Sequence, residues 1–413
     1  MAAKRLCVAV FVCAVFVCVN ADSPADTQGQ AGGILPQDAG FSFEAGITSI
    51  YQQNLRGGQS THRRAGRFSG SYDLELEMDL HRLLGLEGAT LFMAAEGSWS
   101  KSGGIDGPAI GSFFGVNDDG SPRQAIVISE LWFQQSLLDD RLQIRIGKMD
   151  LTGGFQCSGC PVSFDCCGYA NDETTHFLNS ALVNNPTIPF PEEGLGIALH
   201  YTPVDDWYIS AAVADAQADG RETGFRTAFH DEDYYFYIAE TGITPRADSP
   251  NGPLQGAYRI GAWFCSQPTA HSDAGDKLYN DNAGLYMTFD QMLVKENDRQ
   301  GDTQGLGAFF RYGYAPPAKN DMTRFYSFGL SWQGLFDGRD QDTLGAGFAR
   351  GYFSDRANLT YHDDAESVWE TYYSIHFADW ITVSPSMQYI ANPGGQGQNK
   401  DAVVAGIRIQ MMF

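Results

Sequence analysis

The stretch DAVVAGIRIQMMF, residues 401–413, decides the fold. Val403, Ala405, Ile407, Ile409, Met411 and Phe413 share one parity, and Arg408 and Gln410 the other, so an extended chain here has one apolar and one more polar face. It ends on an aromatic residue. Termini fray unless something ties them down, and a sheet closing on itself ties its last strand to its first. The expectation is a closed barrel, with strands of the same kind upstream.

Residues 67–80 carry the pattern most strictly. Phe68, Tyr72, Leu74, Leu76, Met78 and Leu80 alternate with Ser69, Ser71, Asp73, Glu75, Glu77 and Asp79, so one face must meet water and the other must not. Beginning at Phe41, further strand-like stretches fall near 88–99, 124–137, 141–149, 194–202, 207–214, 234–243, 256–265, 283–293, 305–314, 324–334, 342–351, 367–377, 380–390 and 401–413. With the stretch that starts at Phe41 and with 67–80 these make about sixteen, an even number as single-chain outer-membrane barrels have. Connections 81–87, 138–140, 203–206 and 378–379 are short, whereas 53–66, 100–123, 150–193, 215–233, 266–282 and 352–366 are longer and rich in Gly, Asp and Asn. This asymmetry predicts an all-β transmembrane antiparallel barrel with short periplasmic turns, long extracellular loops and both termini periplasmic. A soluble periplasmic β-sandwich would also alternate. Trp99, Trp207, Tyr326, Trp332 and Trp369 near strand ends fit aromatic girdles at membrane interfaces better.

Ahead of the barrel, Lys4 and Arg5 precede an apolar run, residues 6–19, and small residues end at Ala21. Residues 1–21 read as a signal peptide, 22–40 as a short periplasmic linker and 41–413 as the barrel, placed in the outer membrane of a Gram-negative cell. The apolar run is too short to span a bilayer comfortably. A formal charge of −23 excludes nucleic acid as a partner. Four cysteines, Cys157, Cys160, Cys166 and Cys167, crowd into CSGCPVSFDCC, and an oxidising compartment favours disulfides over zinc, with three pairings open.

No nucleophile elbow, zincin motif or phosphate loop is present in the sequence, so no catalytic residue, metal or cofactor is assigned. Function then falls to the water-facing parity. It carries Glu75, Glu77, Glu96, Glu130, Trp132, Arg141, Arg145, Glu240, Arg259, Asp290, Arg311, Glu370, Tyr372, Gln388 and Arg408. Carboxylates and guanidinium groups bind hydroxyls and flat rings stack on sugars, so the set suits a neutral polyhydroxylated solute lining its way through a pore. The long connection 150–193, with Phe177, Leu178, Ile188 and Phe190, is the expected constriction.

The run HFLNSALVNNPTIPFPEEGLGIALHYTPVDDWYISAAVADA, residues 176–216, resembles carbohydrate-selective porins of the OprB type. So do RIGKMD from Arg145, the Glu-x-Tyr-Tyr at Glu370, the Trp-x-x-x-x-Pro-x-x-Gln-Tyr-Ile at Trp380 and the Asn-Pro-Gly-Gly at Asn392. The resemblance covers roughly 41–413. It implies facilitated diffusion of sugars through a barrel of about sixteen strands, with no enzymatic turnover. The expected partners are sugars, outer-membrane lipid and, through Phe413, the barrel-assembly machinery; monomer and trimer both stay open. The cysteine cluster and Met411-Met412 depart from the family pattern. The alternatives are a general or anion-preferring porin, an outer-membrane hydrolase and a soluble sugar-binding sandwich.

Overall fold

The computed structural model describes residues 40–413 apart from 101–102, 121, 153–163, 172–174, 222–227, 229–231, 271–277, 300–301, 357–360 and 362–363. Sixteen strands follow one another as β1 Phe41–Gly58, β2 Gly66–Asp79, β3 Ala89–Ser98, β4 Gln124–Leu137, β5 Leu142–Met149, β6 Gly194–Val204, β7 Trp207–Asp215 and β8 Tyr235–Ile243. They continue as β9 Leu254–Cys265, β10 Asn282–Lys295, β11 Gly305–Tyr314, β12 Met322–Gln333, β13 Thr343–Phe353, β14 Ala365–Ala378, β15 Ile381–Ala391 and β16 Lys400–Met412. A two-residue rung, Arg246–Ala247, pairs with the start of β9. Each strand pairs antiparallel with the next, and β1 pairs with β16 from Gly46↔Met412 to Gly58↔Lys400. The ring is closed. Closure removes both sheet edges, so no row of unpaired backbone groups faces the bilayer.

Phe413 takes part in this closure. Its N–H donates to Ala45 O (2.9 Å), Ala45 N–H donates to Phe413 O (3.1 Å), and its ring stacks on Trp380. The sixteen stretches expected from alternation each fall on one strand. The largest difference in a boundary is at the end of β1. β1 runs on to Gly58, because its pairing with β16 continues through register shifts at Arg56, and the connection expected over 53–66 shrinks to 59–65.

Parity assigns the two faces. Phe68, Ile128, Leu131, Ile146, Ile197, Ile260, Leu285, Phe328, Leu330 and Ile407 point outward and are exposed, forming an apolar band of the kind a bilayer covers. Inward positions hold polar and charged side chains, many of them buried although they face the lumen. The cause is two connections at the long-loop end that fold back into the barrel. Ile105, Ala109, Ile110 and Val116 of the β3–β4 connection pack with Phe177, Ala181 and Leu182 of the β5–β6 connection in one apolar cluster. The β3–β4 connection was expected as an outer loop only; its apolar residues instead bury inside the barrel.

Two inward glycines make room for these loops. A Cβ on Gly307 of β11 would fall on the Tyr169 ring, and one on Gly347 of β13 would come within 2.9 Å of Phe177 Cε1. Close approach of another chain, rather than a special backbone angle, fixes glycine there. At the opposite end the turns are compact. The helix α1, Leu80–Leu84, is capped by the Asp79 carboxylate accepting from Arg82 N–H and ends at Gly85 in the left-handed conformation.

Candidate functional site

Alternation places side chains inside the barrel, but loops decide which of them meet water. Along β8 to β11 the inward groups hold residues 164–170. Glu240 accepts from Phe164 N–H (3.2 Å), Tyr286 Oη (2.8 Å) and Tyr208 Oη (2.6 Å). Arg259 donates to Cys166 O (2.7 Å) and to Asp290 Oδ2 (3.0 Å). Arg311 donates to Asp165 O (3.1 Å), Leu182 O (2.6 Å) and Ala170 O (3.4 Å), with the Asp165 carboxylate 3.5 Å away. Loop carbonyls inside a barrel lack strand partners, and a guanidinium with five donors in a planar fork supplies them.

Along β14 to β16 a second set holds residues 176–182. The two oxygens of Glu370 accept from Leu178 N–H (3.0 Å) and Asn179 N–H (2.9 Å). Gln388 accepts from Asn179 Nδ2 (2.9 Å) and donates to Val116 O (2.9 Å), to which Gln52 also donates (2.7 Å). Arg408 donates to His176 O (3.0 Å), and Tyr372 packs its ring against Phe177 and His176. Glu366, absent from the sequence-derived set, accepts from Phe113 N–H (2.9 Å), Gly394 N–H (2.6 Å) and the Ser112 hydroxyl. It lies four residues before Glu370 on the same inward parity, and that was the signal for it.

The loop groups titrate unusually. Burial pushes the Asp165 carboxyl up to about 6 despite the opposing Arg311 charge, and pushes Asp106 up to about 7. Burial, reinforced by the Arg408 charge, drives His176 down to about 3, so its ring is neutral. The Cys167 thiol, free and buried, is pushed well above its ordinary value. Cys157 and Cys160, on which the expected disulfides also depend, lie outside the described residues.

Glu240, Arg259, Arg311, Glu370, Tyr372, Gln388 and Arg408 are thus wall-to-loop anchors, with Asp290 pairing to Arg259 behind them, and each is less than a tenth exposed. Arg141 also departs from expectation. It sits in the β4–β5 turn, half exposed, with Nη1 on Pro203 O (2.8 Å) and Asp205 3.9 Å away, so it marks the rim at the short-turn end and not the constriction. What remains open is a strip on β1 to β5. Glu75, Glu77 and Glu96 are exposed there, with Glu44 opposite Glu75 in register. Beside them Phe92 stacks on Trp132 at 4.7 Å, and the Arg145 guanidinium lies 3.8 Å over the Trp132 ring. Arg145 also donates to Gln134 Oε1 (3.2 Å), while Glu130 accepts from Trp132 Nε1 (3.0 Å) and Asp150 N–H (3.0 Å). The strip offers three exposed carboxylates on one wet wall, and on the same wall a guanidinium held over a Trp132 ring that is itself buried.

A model of the carbohydrate-selective porins of the OprB family matches residues 63–413. The chain belongs to the OprB family. Among its relatives is Porin B of Pseudomonas aeruginosa, 24% identical, the match covering 91% of this chain and 88% of that protein. Porin AaxA of Chlamydia felis is 23% identical over 75% of this chain and 63% of its own length. A high-pH structure of Pseudomonas putida OprB superposes with a TM-score of 0.76 at 22% identity, over 91% of this chain and 95% of that one, and bears out the fold. As an OprB porin, the protein is a sugar-selective channel of the outer membrane.

Proposed function

We propose that sugars cross this porin along the β1 to β5 strip by diffusion without chemical turnover, and that the inward-folded loops set the aperture. The observation that carries this is Arg145 over Trp132 on the same inner wall as the exposed Glu75, Glu77 and Glu96. A sugar sliding past exchanges water hydrogen bonds for charge-assisted ones, each worth about 1.5–3 kcal/mol before desolvation is subtracted. Net affinity is then weak, on the order of millimolar or about −4 kcal/mol, and weak binding is what release on the far side requires. The mixed signs of the strip favour a neutral polyhydroxylated solute over an anion, which three exposed carboxylates repel.

Single-channel recording of the full barrel tests the path. Arg145→Ala is expected to reduce sugar block about tenfold while heat-modifiable migration stays normal, because a lumen substitution tunes passage without disturbing insertion. Undiminished block would move the path off this strip. Assembly belongs to the same reading. Phe413, tied to Ala45 and stacked on Trp380, is the residue through which the assembly machinery would take hold of the closing strand.

A further inference from the structure

On the outer wall, two arginines interrupt the apolar parity near the long-loop end. Outward positions on β12 read Arg324, Tyr326, Phe328, Leu330 and Trp332, and the last two on β13 are Arg350 and Tyr352. Register sets Arg324 opposite Tyr352 and Arg350 opposite Tyr326. Both guanidinium groups flank the one Tyr352 ring, 4.9 Å and 5.1 Å from its centre. Neither forms an ion pair with a carboxylate among the described residues. Arg350 spends one nitrogen on Ser367 Oγ (3.3 Å), and its Nε has no hydrogen-bond partner there.

These side chains line a cleft of about 450 Å³ that also takes in Tyr314 and, at its upper rim, Asp355 and Asp364. Below it, Phe328, Leu330 and Phe348 continue the lipid-facing surface. From the bilayer upward, the order is aliphatic and aromatic rings, then two cations, then two carboxylates. A phosphorylated glycolipid presents groups in the matching order: acyl chains, then phosphates on the acylated sugars, then the hydroxyls of sugars farther out. Planar guanidinium forks are suited to phosphate oxygens, and carboxylates accept from hydroxyls. A free phosphate would gain nothing from the apolar part and would meet the two carboxylates unaided.

We propose that this cleft binds the phosphate-bearing headgroup of an outer-leaflet glycolipid on the outside of the barrel, apart from the sugar path. The test is native mass spectrometry of the full barrel in an uncharged detergent, with bisphosphorylated lipid A or the same lipid stripped of its phosphates. The unchanged protein is expected to retain the phosphorylated lipid about tenfold better, Arg324→Gln with Arg350→Gln to abolish that preference, and Arg324→Lys with Arg350→Lys to keep most of it. Heat-modifiable migration and sugar block, read on every variant, separate loss of the lipid from loss of the fold or of the sugar path. Equal retention of the two lipids by the unchanged protein, or an undiminished preference in the glutamine variant, overturns the proposal. Displacement of the lipid by inorganic phosphate alone would show a free-anion site, and overturns it as well.

Discussion

Arg311 on β11 and Glu75 on β2 both point into the same lumen, and they meet different surroundings. Arg311 is 1% exposed and ends on three loop carbonyls, whereas Glu75 ends in water. The wall from β8 to β16 carries most of the anchors, joined by Gln52 and Asn54 of β1 and Ser69 of β2 under the β3–β4 connection, and the rest of the wall from β1 to β5 carries the wet strip. Parity therefore separates inside from outside but does not separate wet from covered. Specificity in such a barrel depends on where the loops lie, and the covered wall is the device that holds them.

The largest effect should come from removing an anchor. Arg311→Ala deprives Asp165, Leu182 and Ala170 of their donor and leaves the Asp165 carboxylate without its charge partner, a loss of about 3–5 kcal/mol in seating the loop. The barrel should still form, since the strand ladders are untouched. Conductance should rise severalfold and sugar block fall. If conductance stays at its original value, the covered wall does not set the aperture and the contrast drawn above collapses.

Next in size is exchange of the two faces. Leu76→Arg puts a charge on the lipid side of β2, at about 2–4 kcal/mol near the bilayer midplane and less toward the interface. Its neighbour Glu77→Arg faces the lumen and should assemble normally. The folded fraction on unheated gels measures both. Equal assembly of the two would mean that inward and outward are wrongly assigned on this strand.

How much of this was legible beforehand follows from what sets each feature. Strand positions and faces were, because a period of two repeats within each strand and needs no distant partner. The anchors were named as lumen residues but not as anchors. Nothing near Arg311 in sequence announces that its partners lie at Asp165, Ala170 and Leu182, more than a hundred residues away. A usable hint existed in the inward glycines Gly307 and Gly347, which mark where another chain comes close. For Arg141 parity misled: the register of β5 would aim it inward, but the chain is already turning. The burial of residues 105–116 was hidden because its apolar residues are spaced irregularly and carry no period.

A smaller effect, with opposite signs at His176 and Asp106, comes from pH. His176 is neutral down to about 3, so the seating of 176–182 has its full stability above the ordinary histidine value and loses it as pH falls through that range. At pH 5 the loss is roughly 2 kcal/mol. Asp106 goes the other way. Its carboxyl is raised to about 7 by burial, the Ser112 N–H opposing and Glu366 adding, so its contribution is full below the ordinary carboxylate value and is lost as pH rises through about 7. Acidification from pH 8 to 5 should protect 105–112 from hydrogen exchange and expose 176–182. Movement of both in one direction would show that a shared element, and not these two groups, governs the loops.

The smallest effect belongs to a single carboxylate of the wet strip, and its smallness is itself the test. Glu75→Gln removes one charge from a wall where Glu44, Glu77 and Glu96 stay in place. The group is exposed, salt shortens its reach to about 8–10 Å, and exposed charges of this kind are worth a few tenths of a kcal/mol. The amide still accepts from a hydroxyl, though without the charge, so sugar block should fall by less than in Arg145→Ala. Cation preference, read as the reversal potential across a salt gradient, should decline slightly and more so in dilute salt. If Glu75→Gln instead shifted block as strongly as Arg311→Ala, Glu75 would be bonded in the working channel as firmly as an anchor, and the strip would have to be redrawn as a second covered wall.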